Sequence, residues 1–457
     1  MGLIVPTTIQ PEREDQPLPY EWFVGIDWGS QQHQVCVLDR ARRLVGARAV
    51  DHDGASLAQL AAWLWTLSVG QPQRVSVAIE VPRGAIVEGL LERGFHVFAI
   101  NPKQLDRFRD RHSVAGAKDD RRDAFVLADS VRTDRPSFRR LQLDAPHLLL
   151  LRELSRVEET LLEEFRRSAN RLREQLHRLY PQMLQRCSAA DEPWLWDLIN
   201  LAPTPAHAML LSEEQVQRVL KAHHIRRLKA TEVLACLQAP ALPVAPGTPE
   251  AAQAHCGFLL PCLRVLAEQM QACSQRVSAL LHTLAQEPGE GEGPSDVAIV
   301  QSLPGVGRKI TAWLFAEAAQ ALAERDFQVV RTHGGVAPVT RQSGKRRQVV
   351  MRRGCNPRLR HALYHMARVA MQRDVHFSQV YTALRAKGQR HGQALRNIGD
   401  RLLRILMAML RHRTCYDASR IRCEPVVQLP GFCAMKGGIH WGSKCGKVHS
   451  CKEYISS

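Results

Sequence analysis

A chain of 457 residues, 45% hydrophobic and 23% charged, has the make-up of a soluble globular protein and is too long for one ordinary core, so two or three domains are expected. No apolar stretch reaches the roughly 18 residues of a membrane helix, and the N-terminus has no basic flank leading into an apolar core. The expectation is therefore a soluble, intracellular protein with no membrane partner.

The net charge of +17 is unevenly placed: residues 299–414 hold 22 Lys and Arg against 5 Asp and Glu, which is the whole excess. A field confined in this way points to a polyanion, nucleic acid first, over a merely solvated basic surface. Seven of the twelve cysteines (Cys36, Cys187, Cys236, Cys256, Cys262, Cys273 and Cys355) stand singly among mostly apolar neighbours and read as free buried thiols. The other five (Cys415, Cys423, Cys433, Cys445 and Cys451) have irregular gaps and no Cys-x-x-Cys, which argues against a zinc site.

Residues 1–20 are polar and Pro-containing and read as a disordered leader. WFVGIDWG, QVCVLD and LVGARAV then read as three strands, followed by a helix over 56–68, the strand RVSVAIE ending at Glu80, a helix over 85–93, the strand HVFAIN and a helix from Pro102. Strands in a row that give way to alternating helix and strand predict an α/β domain with a mixed sheet over 21–145. Over 146–290 the signal changes. Leu151, Leu154, Val157, Leu161, Phe165, Leu172, Leu176 and Leu179 recur at three- and four-residue steps, and a second run holds Leu263, Leu266, Met270, Val277, Leu280 and Leu284. Two such helices read as an antiparallel coiled-coil arm or a dimerisation surface, and an ordinary helix–helix core accounts for the leucines equally well. Residues 188–248 between them read as a small helical insertion closing on the linker PALPVAPGTPE, and EPGEGEGPSD (287–296) as a second link. A basic domain over 291–413 follows. No function is assigned to the tail, 414–457.

Asp27 closes the first strand in Gly-Ile-Asp-Trp-Gly, and Glu80 closes VSVAIE. Asp120 and Asp123 lie one turn apart in Lys-Asp-Asp-Arg-Arg-Asp-Ala, on one face of a predicted helix. Four carboxylates that converge repel one another unless cations neutralise them. Two Mg²⁺ ions do so and also clamp phosphodiester oxygens. Taken singly, each has a plainer reading. The first turn also occurs where sugar kinases and actin-like ATPases hold phosphate, although the second phosphate loop and adenosine-binding segment of such enzymes are missing. Asp120 and Asp123 can also pair with Arg121, Arg122 or Arg107 on a solvated helix.

In the basic domain, LPGVG (303–307) precedes a predicted helix. Such a hairpin leaves backbone N–H groups for a phosphate, as in helix-hairpin-helix modules, with Gly305, Gly307, Arg308 and Lys309 as contacts; a tight interhelical turn is the alternative. Arg341, Lys345, Arg346, Arg347, Arg352 and Arg353 then crowd around Ser343 and Gly344. A serine hydroxyl is a poor nucleophile without a base to take its proton and charge to neutralise the attacked phosphate. The arginines offer the second and nothing adjacent offers the first, so on its own Ser343 reads as a polar loop residue in a phosphate-binding patch. His361 and His365 are one turn apart but lack a third metal ligand, and read as core or DNA-facing.

Together, GIDWG with IEVP, the block AKDDRRDA and the pair LPGVG…GGVAPVTRQSGKRR resemble the DEDD-type transposases of insertion sequence family one-hundred-and-ten, the bridge-RNA-guided recombinases. The resemblance covers roughly residues 22–411. It implies an RNase H-like (RuvC-type) domain, a long coiled-coil arm and a helical, helix-hairpin-helix-like C-terminal transposase domain. Asp27, Glu80, Asp120 and Asp123 become its metal-binding tetrad, and Ser343 the nucleophile that attaches covalently to DNA. The resemblance also implies donor and target DNA and an element-encoded structured guide RNA as partners. It further implies a homo-oligomer, dimer or tetramer, in which one subunit's metal cluster meets another's serine. Asp119 stands where the family has threonine; Asp120 is retained because it lies three residues before Asp123. A metal-dependent RuvC-like nuclease or junction resolvase without a serine nucleophile, and a non-catalytic nucleic-acid-binding protein, are the competing classes.

Overall fold

The computed structural model describes residues 20–112, 119–286, 293–344 and 346–420. The leader through residue 19, Lys118, Lys345 and the cysteines at 423, 433, 445 and 451 lie outside these residues, as do the side chains of Arg346 and Arg347. Two compact units divide between residues 150 and 151.

In the first unit β1 (Trp22–Asp27), β2 (Gln32–Leu38) and β3 (Leu44–Asp51) run antiparallel in sequence, then α1 (Gly54–Leu67), β4 (Val75–Ile79), α2 (Ala85–Glu92), β5 (His96–Ala99), α3 (Pro102–His112), α4 (Asp120–Asp134) and the two-residue β6 (Arg139–Arg140) follow. The sheet order is β3-β2-β1-β4-β5-β6, with β1, β4 and β5 parallel. This mixed sheet is consistent with the RNase H-like reading. All five residues of β4 are buried, as expected of a central parallel strand covered on both faces. Val24, Ile26, Val75, Val77 and Ile79 face a core shared with Leu60, Leu64, Ile86 and Leu90 of α1 and α2. Phe23 and Ala78 face the opposite core, with Ala124, Leu127, Ala128 and Val131 of α4. Tyr20 is buried, with its hydroxyl 2.6 Å from His96 Nδ1.

The second unit takes up α5 (Pro146–Leu179), which begins just before the division. Between α5 and the next long helix lie α6 (Pro193–Leu201), α7 (Pro205–Ala208), α8 (Glu213–Ala222) and α9 (Ala230–Leu237). Trp194 and Trp196 of α6 share a core with Leu172, Leu176 and Leu179 of α5 and with Cys256, Leu260 and Leu263 of α10 (Thr248–Gln286). The Cys273 thiol of α10 also donates to the Leu154 carbonyl of α5. The last two residues of the second link are structural: Ser295 caps α11 (Asp296–Gln301), and Asp296 pairs with Arg325 and Arg413. Next come α12 (Arg308–Ala323), α13 (Phe327–His333), the hairpin β7 (Val339–Ser343) and β8 (Arg346–Val350), and then α14 (Pro357–Arg373), α15 (Val375–Ala386) and α16 (His391–His412). No helix among the described residues is long and apolar enough to cross a membrane.

Candidate active site

The first cluster is built by the sheet itself. β1 and β4 pair in parallel with Ile26 opposite Ile79, so Asp27 and Glu80 are the next residues on two adjacent strand ends. Strand side chains alternate. Phe23 and Ala78 face α4, so the same alternation directs Asp27 and Glu80 to the α4 side. Gly25 fixes how near that helix comes: a Cβ there would lie 1.9 Å from the Ala124 carbonyl oxygen and 2.4 Å from the Ala128 nitrogen. Only glycine lets α4 rest on β1 at this depth, and Ala124 is the neighbour of Asp123. Asp119 caps α4 by accepting from the Arg121 N–H at 3.2 Å, which leaves exposed Asp120 and buried Asp123 one turn apart on the helix. Asp119 therefore has a capping role of its own.

Asp123 is 1% exposed, and both its oxygens accept from Arg109 of α3, Oδ1 from Nε at 2.7 Å and Oδ2 from Nη2 at 2.6 Å. This bond is the first cause that raises the Arg109 pKa above its ordinary value. The plainer alternative in the sequence paired Asp120 and Asp123 with Arg107, Arg121 or Arg122; the guanidinium found on Asp123 is that of Arg109, two residues past Arg107 on α3. The tetrad's oxygens are not gathered into a tight group. Among the described residues the cluster of three His, Cys, Asp or Glu ligand atoms within 4.8 Å is Cys187, Asp191 and Glu192, and there Glu192 already accepts from Arg227 and Trp194.

A second feature missed in the sequence is His33, wholly buried beside the turn after Asp27. Its Nδ1 accepts from the Gly29 N–H at 3.3 Å, and its Nε2 lies 2.8 Å from His52 Nδ1. Burial, then His52, lowers its pKa, so the ring is held neutral and can accept.

In the basic unit, Ser343 is the last residue of β7, exposed and paired in register with Arg346 across Gly344, whose φ is +54°. Arg341 lies two residues back on the same strand face, exposed like Arg353. The residues of the preceding helical turn divide. Gly305, with φ +79°, packs on α14, where a Cβ would meet Val369 at 2.4 Å, and Arg308 is committed to Glu158 of α5 at 2.5 Å. Gly307 and Lys309 are exposed, with the Lys309 Nζ 4.0 Å from the same Glu158. His361 and His365 stack edge-on at 4.3 Å between ring centres, against Trp313.

Residues 24–181 match a transposase model, that of the IS110 DEDD transposase, and residues 297–382 match the transposase IS116/IS110/IS902 family. The chain is 47% identical to the candidate transposase y4uE of Sinorhizobium fredii over 209 residues, which is 46% of this chain and 58% of that protein. It is 29% identical to the candidate mini-circle transposase for IS117 of Streptomyces coelicolor over 87% of this chain and 96% of the relative. An uncharacterised 44.8 kDa protein of insertion element IS116 from Streptomyces clavuligerus is 28% identical over 89% and 98%.

Proposed function

We propose that the chain is a DNA-recombining enzyme of the IS110/IS116/IS902 transposase type, which cuts and rejoins donor and target DNA through a covalent bond between Ser343 and a DNA phosphate. The observation that carries this is an exposed serine at the tip of a hairpin in the segment that holds the chain's whole positive excess. In the proposed step the Ser343 Oγ bonds to phosphorus, the P–O bond to the departing deoxyribose oxygen breaks, and that oxygen leaves as a hydroxyl once protonated. Arg341 neutralises the phosphate. The reverse attack by a new strand's hydroxyl releases the serine.

Metal dependence is typical of DEDD transposases. Asp27, Glu80, Asp120 and Asp123 form an all-oxygen donor set suited to a hard cation such as Mg²⁺, two ions in the fullest reading. Bound metal would supply charge neutralisation at phosphate oxygens. Arg109 supports the fit, since a positive charge already lies across Asp123. Arg109 must turn away, or share the carboxylate's remaining lone pairs, for Asp123 to act as a ligand. The serine lacks a base in its own hairpin, and a homo-oligomer in which a partner subunit's carboxylates serve it fits that lack. An element-encoded guide RNA completes the reading by supplying sequence choice through base pairing.

The full chain, co-expressed with element RNA and incubated with Mg²⁺ and labelled DNA, should give a protein–DNA adduct on a denaturing gel. Ser343→Ala and Asp120→Asn should each abolish it. Strand cutting without an adduct, at equal rate in Ser343→Ala, would instead establish the metal-dependent nuclease reading.

A further inference from the structure

Two arginines in the basic unit face each other without a carboxylate. Arg360 of α14 turns its Nη2 back to the carbonyls of Arg352 and Arg353, at 2.8 and 3.1 Å, beneath the β7–β8 hairpin. Its Nε is buried and has no hydrogen-bond partner, and the Arg352 Nε is in the same state. Gly335 makes room for this guanidinium, because a Cβ there would lie 3.0 Å from the Arg360 Nε. Arg396 of α16 reaches the same place, with its Nη1 3.4 Å from the Met351 sulfur. Burial, then the charge of Arg360, lowers the Arg396 pKa. Among the described residues neither arginine has a carboxylate within ion-pair distance. The nearest acid on α16, Asp400, is committed to Arg331 and Arg404. Half-buried like charges with unmet donors are costly unless an anion joins them.

We propose that Arg360 and Arg396 form a seat for one backbone phosphate at the foot of the β7–β8 hairpin, flanking the phosphate that Ser343 attacks at the tip. A five-residue strand separates foot from tip by about 13 Å, so the two sites take different phosphates of one nucleic acid. The seat's position relative to the reaction rests on the serine reading, whereas its anion chemistry does not. Lysine is a poor substitute in such a seat, since the planar guanidinium gives paired donors to phosphate oxygens.

The test is thermal unfolding of the full chain in inorganic phosphate and in chloride at matched ionic strength, for the wild type, Arg396→Met and, as a charge control, Lys387→Gln on the exposed end of α15. Phosphate should raise the wild-type and Lys387→Gln midpoints beyond the chloride values. Arg396→Met should match or exceed the wild type in chloride, because a like-charge contact is gone, and lose the phosphate increment. Its log–log salt slope for DNA binding should shrink by about 1. A lower chloride midpoint in Arg396→Met, or an undiminished phosphate increment, would overturn the seat. Because the assay needs no catalysis, a failed seat leaves a serine adduct standing, and a missing adduct leaves the seat standing.

Discussion

Asp123 has both oxygens taken by one guanidinium inside a core where its exposure is 1%. Removing one partner of a buried pair leaves an uncompensated charge, a loss of about 3 kcal/mol for a pair as partly open as this. Arg109→Gln should therefore lower stability by that order in chelator, measured by urea unfolding. Mn²⁺ should restore more stability to the variant than it adds to the wild type, since the metal then binds a carboxylate with no competitor. Equal effects of metal on both would argue that Asp123 is not a ligand. Asp27 and Glu80 were legible in the sequence because strand ends are legible. Arg109 was not, because its contact joins two helices across 14 positions and depends on the angle between them. For the same reason the packing of Gly305 on Val369 and the pairing of Arg308 with Glu158 were not legible, since each joins segments far apart in the chain.

The helix that carries Asp123 is held by glycine at one point. Gly25→Ala inserts a methyl group where the α4 backbone already stands, and overpacking of this type costs about 1–3 kcal/mol. The variant should unfold at lower temperature and, with α4 displaced, bind metal more weakly than its loss of stability alone explains. β5 gives the same unit a pH dependence. Burial, then Arg140 and Arg135, brings the His96 pKa from 6.5 down to about 4. A histidine kept neutral in the fold contributes stability that is present above 6.5 and is lost as pH falls from 6.5 towards 4. The midpoint should drop across that window, and His96→Gln should flatten the drop. Elements with apolar alternation, β1, β2 and β4 above all, could be read from sequence. The β7–β8 hairpin could not, because Arg-Gln-Ser-Gly-Lys-Arg-Arg-Gln is polar throughout and carries no apolar alternation. β6 is two arginines long and carries no signal at all.

Across the whole molecule, charge and chemistry are divided between two units. The carboxylates stand in the unit of the mixed sheet, on two strand ends and α4, and the serine stands in the helical unit with the positive excess. DNA affinity should fall steeply between 50 and 200 mM salt, by 10³ or more if about six phosphates are contacted. Arg341→Gln and Arg353→Gln should each reduce the log–log slope by about 1, whereas Arg308→Gln, whose charge is spent on Glu158, should leave the slope unchanged and lower stability. The covalent bond remains the centre of the account, and the residue that carries it can be identified by mass. Trypsin cuts after Arg341 and Lys345 and releases Gln-Ser-Gly-Lys, in which Ser343 is the sole hydroxyl side chain. After nuclease digestion of the denatured protein–DNA complex, that tetrapeptide should carry the mass of a phosphonucleotide. A nucleotide on any other peptide, or an unmodified tetrapeptide from a complex that has recombined its DNA, would contradict the account.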